Sequence, residues 1–156
     1  MNKKHGFTLI ELLAVVVILG ILTSIALPQY RKSIQRAEAA NALINLKTIF
    51  DSAKRYKSAN SRWPTSVNQL DVDLYNISAD GNMGEFQYTF GTVDGGMVSA
   101  CRLIGTDPDS AYCLYAYYRK NNVRDVYTCA YFDDKYTALC SSLGNCPAHS
   151  NECVIE

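Results

Sequence analysis

The sequence predicts an α+β protein. One long N-terminal helix, membrane-spanning and then docked, packs on a small antiparallel β-sheet with a disulfide-stapled C-terminal region. Three observations predict it. A mainly apolar run opens the chain, a stripe of helical period continues it, and period-two alternation appears only after Trp63-Pro64. Helix first and strands afterwards argue for α+β rather than for alternating βαβ units. The length of 156 residues suits one domain of ordinary size, and 48% apolar residues allow a core. Fifteen basic and fifteen acidic side chains cancel, which argues against a general nucleic-acid binder.

The first element is the run from Phe7 to Leu27, with 16 apolar residues among 21. As a helix it spans roughly 31 Å, close to the hydrocarbon thickness of a bilayer. Lys3 and Lys4 precede it, so the positive-inside rule keeps the N-terminus cytoplasmic and places everything after Pro28 outside. Two processing readings compete. In one, the run is a secretory signal cut after Ser24-Ile-Ala26; in the other it is retained as an anchor. The run is longer than a usual signal core, and it carries Glu11 near its start. A carboxylate there costs about 2.5–3.5 kcal/mol on insertion scales, a cost that a disposable leader has no need to bear. Two accounts of Glu11 stay open. Thr8-x-x-Glu11 matches a capping box for the first helical turn. Alternatively, cleavage between Gly6 and Phe7 creates an α-amine four residues before the carboxylate, and the two charges offset each other within or between chains.

The segment Lys4-x-Gly6-Phe7-Thr8-Leu9-Ile10-Glu11-Leu12-Leu13, an apolar stretch, then Pro28-x-Tyr30, resembles the N-terminus of type IV pilins and of the pseudopilins of type II secretion. The match is dense over residues 3–36; beyond them the likeness is architectural. The resemblance implies a prepilin peptidase that cuts after Gly6 and N-methylates Phe7. It implies that Glu11 pairs with the Phe7 amine of an adjacent subunit in a fibre. It also implies a long helix bent or partly unwound between Gly20 and Pro28 in filaments, with Gly20 and Pro28 joining Glu11 as assembly positions. Gly20 is a weak helix former, and Pro28 lacks an amide donor and clashes with the preceding turn. A plain kink at Pro28 is the other reading. The organisation expected is a leader at 1–6, a transmembrane and assembly helix at 7–28, a helical stalk at 29–63 and a globular β-sheet head with a Cys-rich tail at 64–156.

The stalk follows from periodicity. Ala39, Leu43, Leu46, Phe50, Ala53 and Tyr56 recur three or four apart and form the stripe on which a head packs, while Lys47, Asp51, Lys54 and Lys57 lie off it. Arg62-Trp63-Pro64 ends the helix, because the residue before proline disfavours helical geometry. Residues 31–57 hold seven basic and two acidic residues, whereas 58–156 hold six and twelve. Opposite charge on stalk and head favours staggered packing of subunits, and Arg31, Lys32 and Arg36 either serve it or contact lipid headgroups.

The head begins with a loop at 71–84 rich in Asp, Asn, Gly and Ser. Asp71, Asp73 and Asp80 offer oxygens to a calcium ion, but their spacing matches no EF-hand, and a solvated acidic loop is preferred. Phe86, Tyr88 and Phe90 alternate as a strand, Gly95-Gly96 turns, and 97–104 is a second strand. Segments 111–119 and 125–132 flank Asn121-Asn122 as a hairpin, for three or four strands in all. Seven of eleven tyrosines fall between 112 and 136, either as half-buried strand residues or as a sticky aromatic face.

Cys101, Cys113, Cys129, Cys140, Cys146 and Cys153 lie outside the membrane by the orientation argument, so an even count implies disulfides. Fifteen connectivities are open, nearest-neighbour pairing (101–113, 129–140, 146–153) being preferred. A disulfide-closed C-terminal loop is also implied by the pilin resemblance, with Cys129–Cys140 as the pair. A zinc site from Cys140, Cys146, His149 and Cys153 is the rival; it lacks a C-x-x-C pair. No phosphate-binding glycine motif occurs, and a single histidine follows the leader, so no enzyme is expected, and no cofactor or metal. The function expected is a structural subunit of a type IV pilus or pilus-like filament, held in the inner membrane before assembly. The alternatives are a secretion pseudopilin, a minor or tip subunit acting as an adhesin, and a soluble secreted protein. The partners expected are further copies of the chain, the prepilin peptidase and N-methyltransferase, an inner-membrane assembly platform and membrane lipid, with no nucleic acid.

Overall fold

A computed structural model describes residues 8–74, 76–103, 111–119, 124–147 and 150–155. Gly6 and Phe7, the Asn121-Asn122 turn and His149 lie outside the described residues. Helix α1 runs from Leu9 to Asn60 and contributes to two compact units, Met1–Ala37 and Glu38–Glu156.

In the first unit α1 has its N-cap at Thr8 and continues without a break through Gly20 and Pro28. The hydroxyls of Thr23 and Ser24 donate back to the carbonyls of Leu19 and Ile21 at 2.7 Å each, so neither needs a partner elsewhere.

The second unit, the head, places α1 from Glu38 onward against one face of a six-stranded sheet. The strands are β1 (Asn82–Met83), β2 (Phe86–Gly91), β3 (Met97–Arg102), β4 (Tyr112–Tyr117), β5 (Val126–Tyr131) and β6 (Glu152–Ile155). Every neighbour is antiparallel and follows in chain order, an up-and-down meander. The register aligns Tyr88, Ala100, Leu114, Cys129 and Cys153 as one row across five strands. All five are buried, in one cluster with Ala39, Ala42, Leu46, Ile49, Phe50 and Ala53 of α1. The helical stripe is therefore rotated slightly from the expected one. Ala42 and Ile49 are in it, while Leu43 and Tyr56 are half-buried at its margin.

Helix α1 stops at Asn60, three residues before the expected end at Trp63. Ser61 takes a left-handed backbone (φ 56°), its amide still bonds the Lys57 carbonyl at 2.8 Å, and the Asn60 side chain caps the Tyr56 carbonyl at 3.0 Å. These local polar bonds terminate the helix before proline can. Trp63 then folds back under the sheet, with its indole N–H donating to the Met97 carbonyl at 3.1 Å. Gly96 must be glycine: its φ is +146°, and a Cβ there would lie 2.5 Å from the Trp63 ring.

The sheet has six strands where three or four were expected. Strand β1 is two residues long and carries no periodic signal. The cysteine-rich, disulfide-stapled tail contains helix α2 (Thr137–Leu143) and the edge strand β6. Beyond β6, Asn145 exchanges two backbone bonds with Val154, at 2.8 and 2.9 Å, which covers part of the sheet's open edge. Three bridges staple the head: Cys101–Cys113 between directly opposed residues of β3 and β4, Cys129–Cys140 from β5 to α2, and Cys146–Cys153 beside β6. These bonds occupy three of the ligands of the zinc alternative. Replacing Cys129 and Cys140 together by Ser is expected to cost about 2–4 kcal/mol, read as a lower denaturant midpoint for the detergent-solubilised chain.

Candidate assembly helix and its polar contacts

Between Leu9 and Leu27 thirteen large apolar side chains are exposed, from 83% for Leu9 to 46% for Val15. They lie on every side of the helix, since no face is spared in a run this dense. The segment is long and apolar enough to cross a membrane. Apolar surface of this extent is stable only when lipid or other helices cover it.

Glu11 is the one acidic residue in that run. Its carboxylate accepts from the Thr8 amide at 2.8 Å and from the Thr8 hydroxyl at 2.7 Å, while the Glu11 amide donates to Thr8 Oγ1 at 3.4 Å. This is a reciprocal capping box, with Thr8 as N-cap and Glu11 three residues on. The α-amine side of the account, at Phe7, lies outside the described residues. At Gly20 an added Cβ would meet nothing within 4 Å, so the chain's own packing places no demand for glycine there.

Basic residues of the stalk divide into two groups. Arg31, Lys32 and Arg36 are exposed. Further along, several cations are engaged inside the head: Lys54 reaches Asp125 at 3.0 Å and Asp51 at 2.8 Å, and Lys57 donates to the Gly95 carbonyl at 2.7 Å. Part of the charge complementarity between stalk and head is thus spent within one subunit.

Asp71, a calcium candidate by sequence, instead ties the acidic loop to α1. Arg55 clasps it through Nε and Nη2 at 2.6 and 2.7 Å, the Ser52 hydroxyl donates to it, and its own amide donates to Ser52 Oγ at 3.2 Å. The Arg55 hydrogen bonds, then that of Ser52, hold its carboxyl well below the usual carboxylate range. A depressed carboxyl contributes stability that is present above its unfolded pKa, about 3.9, and is lost as pH falls through the folded value. Asp71→Asn is therefore expected to flatten the acid limb of a thermal-midpoint profile below about pH 4. Among the described residues no group of three or more His, Cys, Asp or Glu is placed to hold a metal.

Arg102 was not singled out from the sequence. It faces inward at the end of β3, its side chain 14% exposed, 3.1 Å from Glu38 on α1 and bonded to Glu85. Beside it, burial pushes the Tyr112 hydroxyl up to about 12. The signal was present in the alternation, because Val98, Ala100 and Arg102 share one face. None of the seven tyrosines between 112 and 136 is exposed: Tyr112, Tyr131 and Tyr136 are buried and the others half-buried. That distribution supports packing over a sticky aromatic face.

Residues 1–27 match the family described as the prokaryotic N-terminal methylation motif. The chain is 38% identical over 68 residues to the type IV major pilin protein PilA of Myxococcus xanthus, covering 44% of this chain and 31% of that protein. It is 35% identical over 71 residues to the type II secretion system core protein G of Aeromonas hydrophila, covering 46% and 50%. Over 60 residues it is 47% identical to a fimbrial protein of Moraxella nonliquefaciens, covering 38% and 36%. The chain thus spans between about a third and a half of the length of these curated relatives.

Proposed function

We propose that this chain is a structural subunit of a type IV pilus or pilus-like filament. It waits in the inner membrane with its N-terminus cytoplasmic and its head outside, and polymerises through its N-terminal helix. One observation carries the reading: a prepilin-class N-terminus on a helix apolar on all sides, with a single carboxylate in its first turn. In this reading residues 1–6 are a leader removed after Gly6, Phe7 is N-methylated, 7–28 is the membrane and assembly helix, 29–63 the stalk, and 64–156 the head. Each subunit exchanges lipid contact for helix–helix contact on joining the fibre, and Glu11 pairs with the Phe7 amine of a neighbour. Gly20 gives close approach to a neighbouring helix, and Pro28 gives the rod a point of bending. A prepilin peptidase and an assembly platform in the membrane act on the chain, which itself performs no chemistry.

A second reading, a pseudopilin of type II secretion, is favoured by the similarity to core protein G over about half of that protein. Electron microscopy and a secretion assay on a strain lacking the chain separate the two. Loss of surface fibres with normal export supports the pilus, and loss of export with normal fibres supports the pseudopilus. Fibres and export both at wild-type levels contradict both roles.

A further inference from the structure

The head is electrically polar along its helix. At one end the last turns of α1 meet the end of β4 and the start of β5, bringing together Lys54, Lys57, Arg62, Arg119 and Arg124. Lys57 lies over the Tyr118 ring at 4.2 Å and Arg119 over the same ring at 5.3 Å, while Arg62 donates to the Tyr56 hydroxyl at 3.1 Å. Arg62, Arg119 and Arg124 are exposed. Among the described residues, the acids paired with this group are Asp51 and Asp125, both of which engage Lys54. Arg119 has φ +52° and its amide donates to Asp125 Oδ1 at 3.1 Å.

At the other end the register brings together the start of β2, the end of β3, the start of β4 and the end of β5. Glu38, Glu85, Asp133 and Asp134 gather there. Their cations are Arg102, largely buried between Glu38 and Glu85, and Lys135, 2.8 Å from Asp133. Glu85, Asp133 and Asp134 are exposed. Glu38 and Lys54 stand on α1 about 24 Å apart at 1.5 Å per residue. That is two to three Debye lengths at physiological salt, so the two ends do not neutralise each other within one head.

From this we infer that the basic end of one head, centred on Arg62, Arg119 and Arg124, docks on the acidic end of a second copy, centred on Glu85, Asp133 and Asp134. The inference rests on the filament reading and adds to it a contact made by the heads. Unlike ends make a heterologous contact, and a heterologous contact that does not close into a ring propagates as an open helical array, as a fibre requires. A polyanion is the poorer occupant. The basic end belongs to a head, residues 38–156, with fourteen acidic and ten basic residues, whose net negative field repels an extended negative polymer.

The test uses full-length chain expressed in cells and fibres sheared from their surface. Three versions are compared with wild type: Arg119→Glu with Arg124→Glu, Asp134→Arg, and all three changes together. Thermal midpoints of the purified chains check that the heads fold alike, and Arg119→Gln with Arg124→Gln provides a milder form. Each one-ended reversal is expected to lower fibre yield at low salt by roughly three- to tenfold. The combined charge swap restores most of that loss, and high salt shrinks all the differences. Wild-type yield from the Arg119/Arg124 reversal, or no recovery in the combined form, overturns the contact. Loss of linear duplex DNA binding in that reversal with fibre yield unchanged also overturns it, in favour of a polyanion. Absence of fibres from wild-type chain is a different failure, and it strikes the filament reading itself.

Discussion

Chain carrying Glu11→Leu is expected to enter the membrane, keep a folded head and fail to build fibres at wild-type yield. The substitution removes a charge that costs about 2.5–3.5 kcal/mol to place in the bilayer, so anchoring itself improves. What is lost is an anion able to meet the terminal ammonium of a neighbour. The structure sharpens the test, because Thr8 already holds the carboxylate in a capping box. Glutamine serves in a capping box as well as glutamate does. Glu11→Gln therefore separates the two accounts: a capping role leaves assembly normal, whereas charge pairing between subunits makes Gln nearly as defective as Leu. Fibre yield after shearing, with protease resistance of the membrane-held head as the control for folding, reads the difference.

Phe50→Ala is the head substitution with the largest expected cost, about 3–5 kcal/mol. Phe50 is fully buried where α1 crosses the sheet. Its ring lies 5.9 Å from Trp63 and 5.8 Å edge-on from Tyr127, with the Lys54 ammonium 5.0 Å above it. Truncation opens a cavity at the point where helix, loop and β5 meet. Domains of this size are stable by only about 5–15 kcal/mol, so the loss is visible as a large drop in denaturant midpoint. Phe50→Leu keeps most of the volume and is expected to cost under about 2 kcal/mol.

What was legible in the sequence was whatever is encoded locally. The apolar run, Glu11 three residues after Thr8, and the alternation in Phe86–Phe90 each fit within one window, and the structure places a helix, a capping box and a strand there. Features made by distant partners were not legible. Arg102 reads as an ordinary strand residue until the register sets it against Glu38 and Glu85. Asp71 reads as a loop acid until the loop folds back onto Ser52 and Arg55. Strand β6 is four residues long and hidden among cysteines, and it exists because β5 on one side and Asn145 on the other supply its hydrogen bonds. The end of α1 differs from the expected one for a related reason: proline marks the latest point at which the helix can stop, whereas Ser61 stops it sooner.

The shape of the cysteine network also follows from topology. In a meander, residues that flank one turn become opposed on neighbouring strands, so bridges between sequence neighbours arise without threading. Cys129 and Cys153 are register partners on β5 and β6, which sets the Cys129–Cys140 and Cys146–Cys153 bridges side by side beneath α2. The C-terminal third is thereby held by covalent bonds where its regular structure is shortest.

All of this depends on the apolar rod staying attached to the head in the working protein. Intact mass, with N-terminal sequencing, of the chain recovered from sheared fibres tests that most directly. A first residue of Phe7 bearing one added methyl group is expected. A chain beginning immediately after Ala26, found free in the medium with no rod, contradicts it.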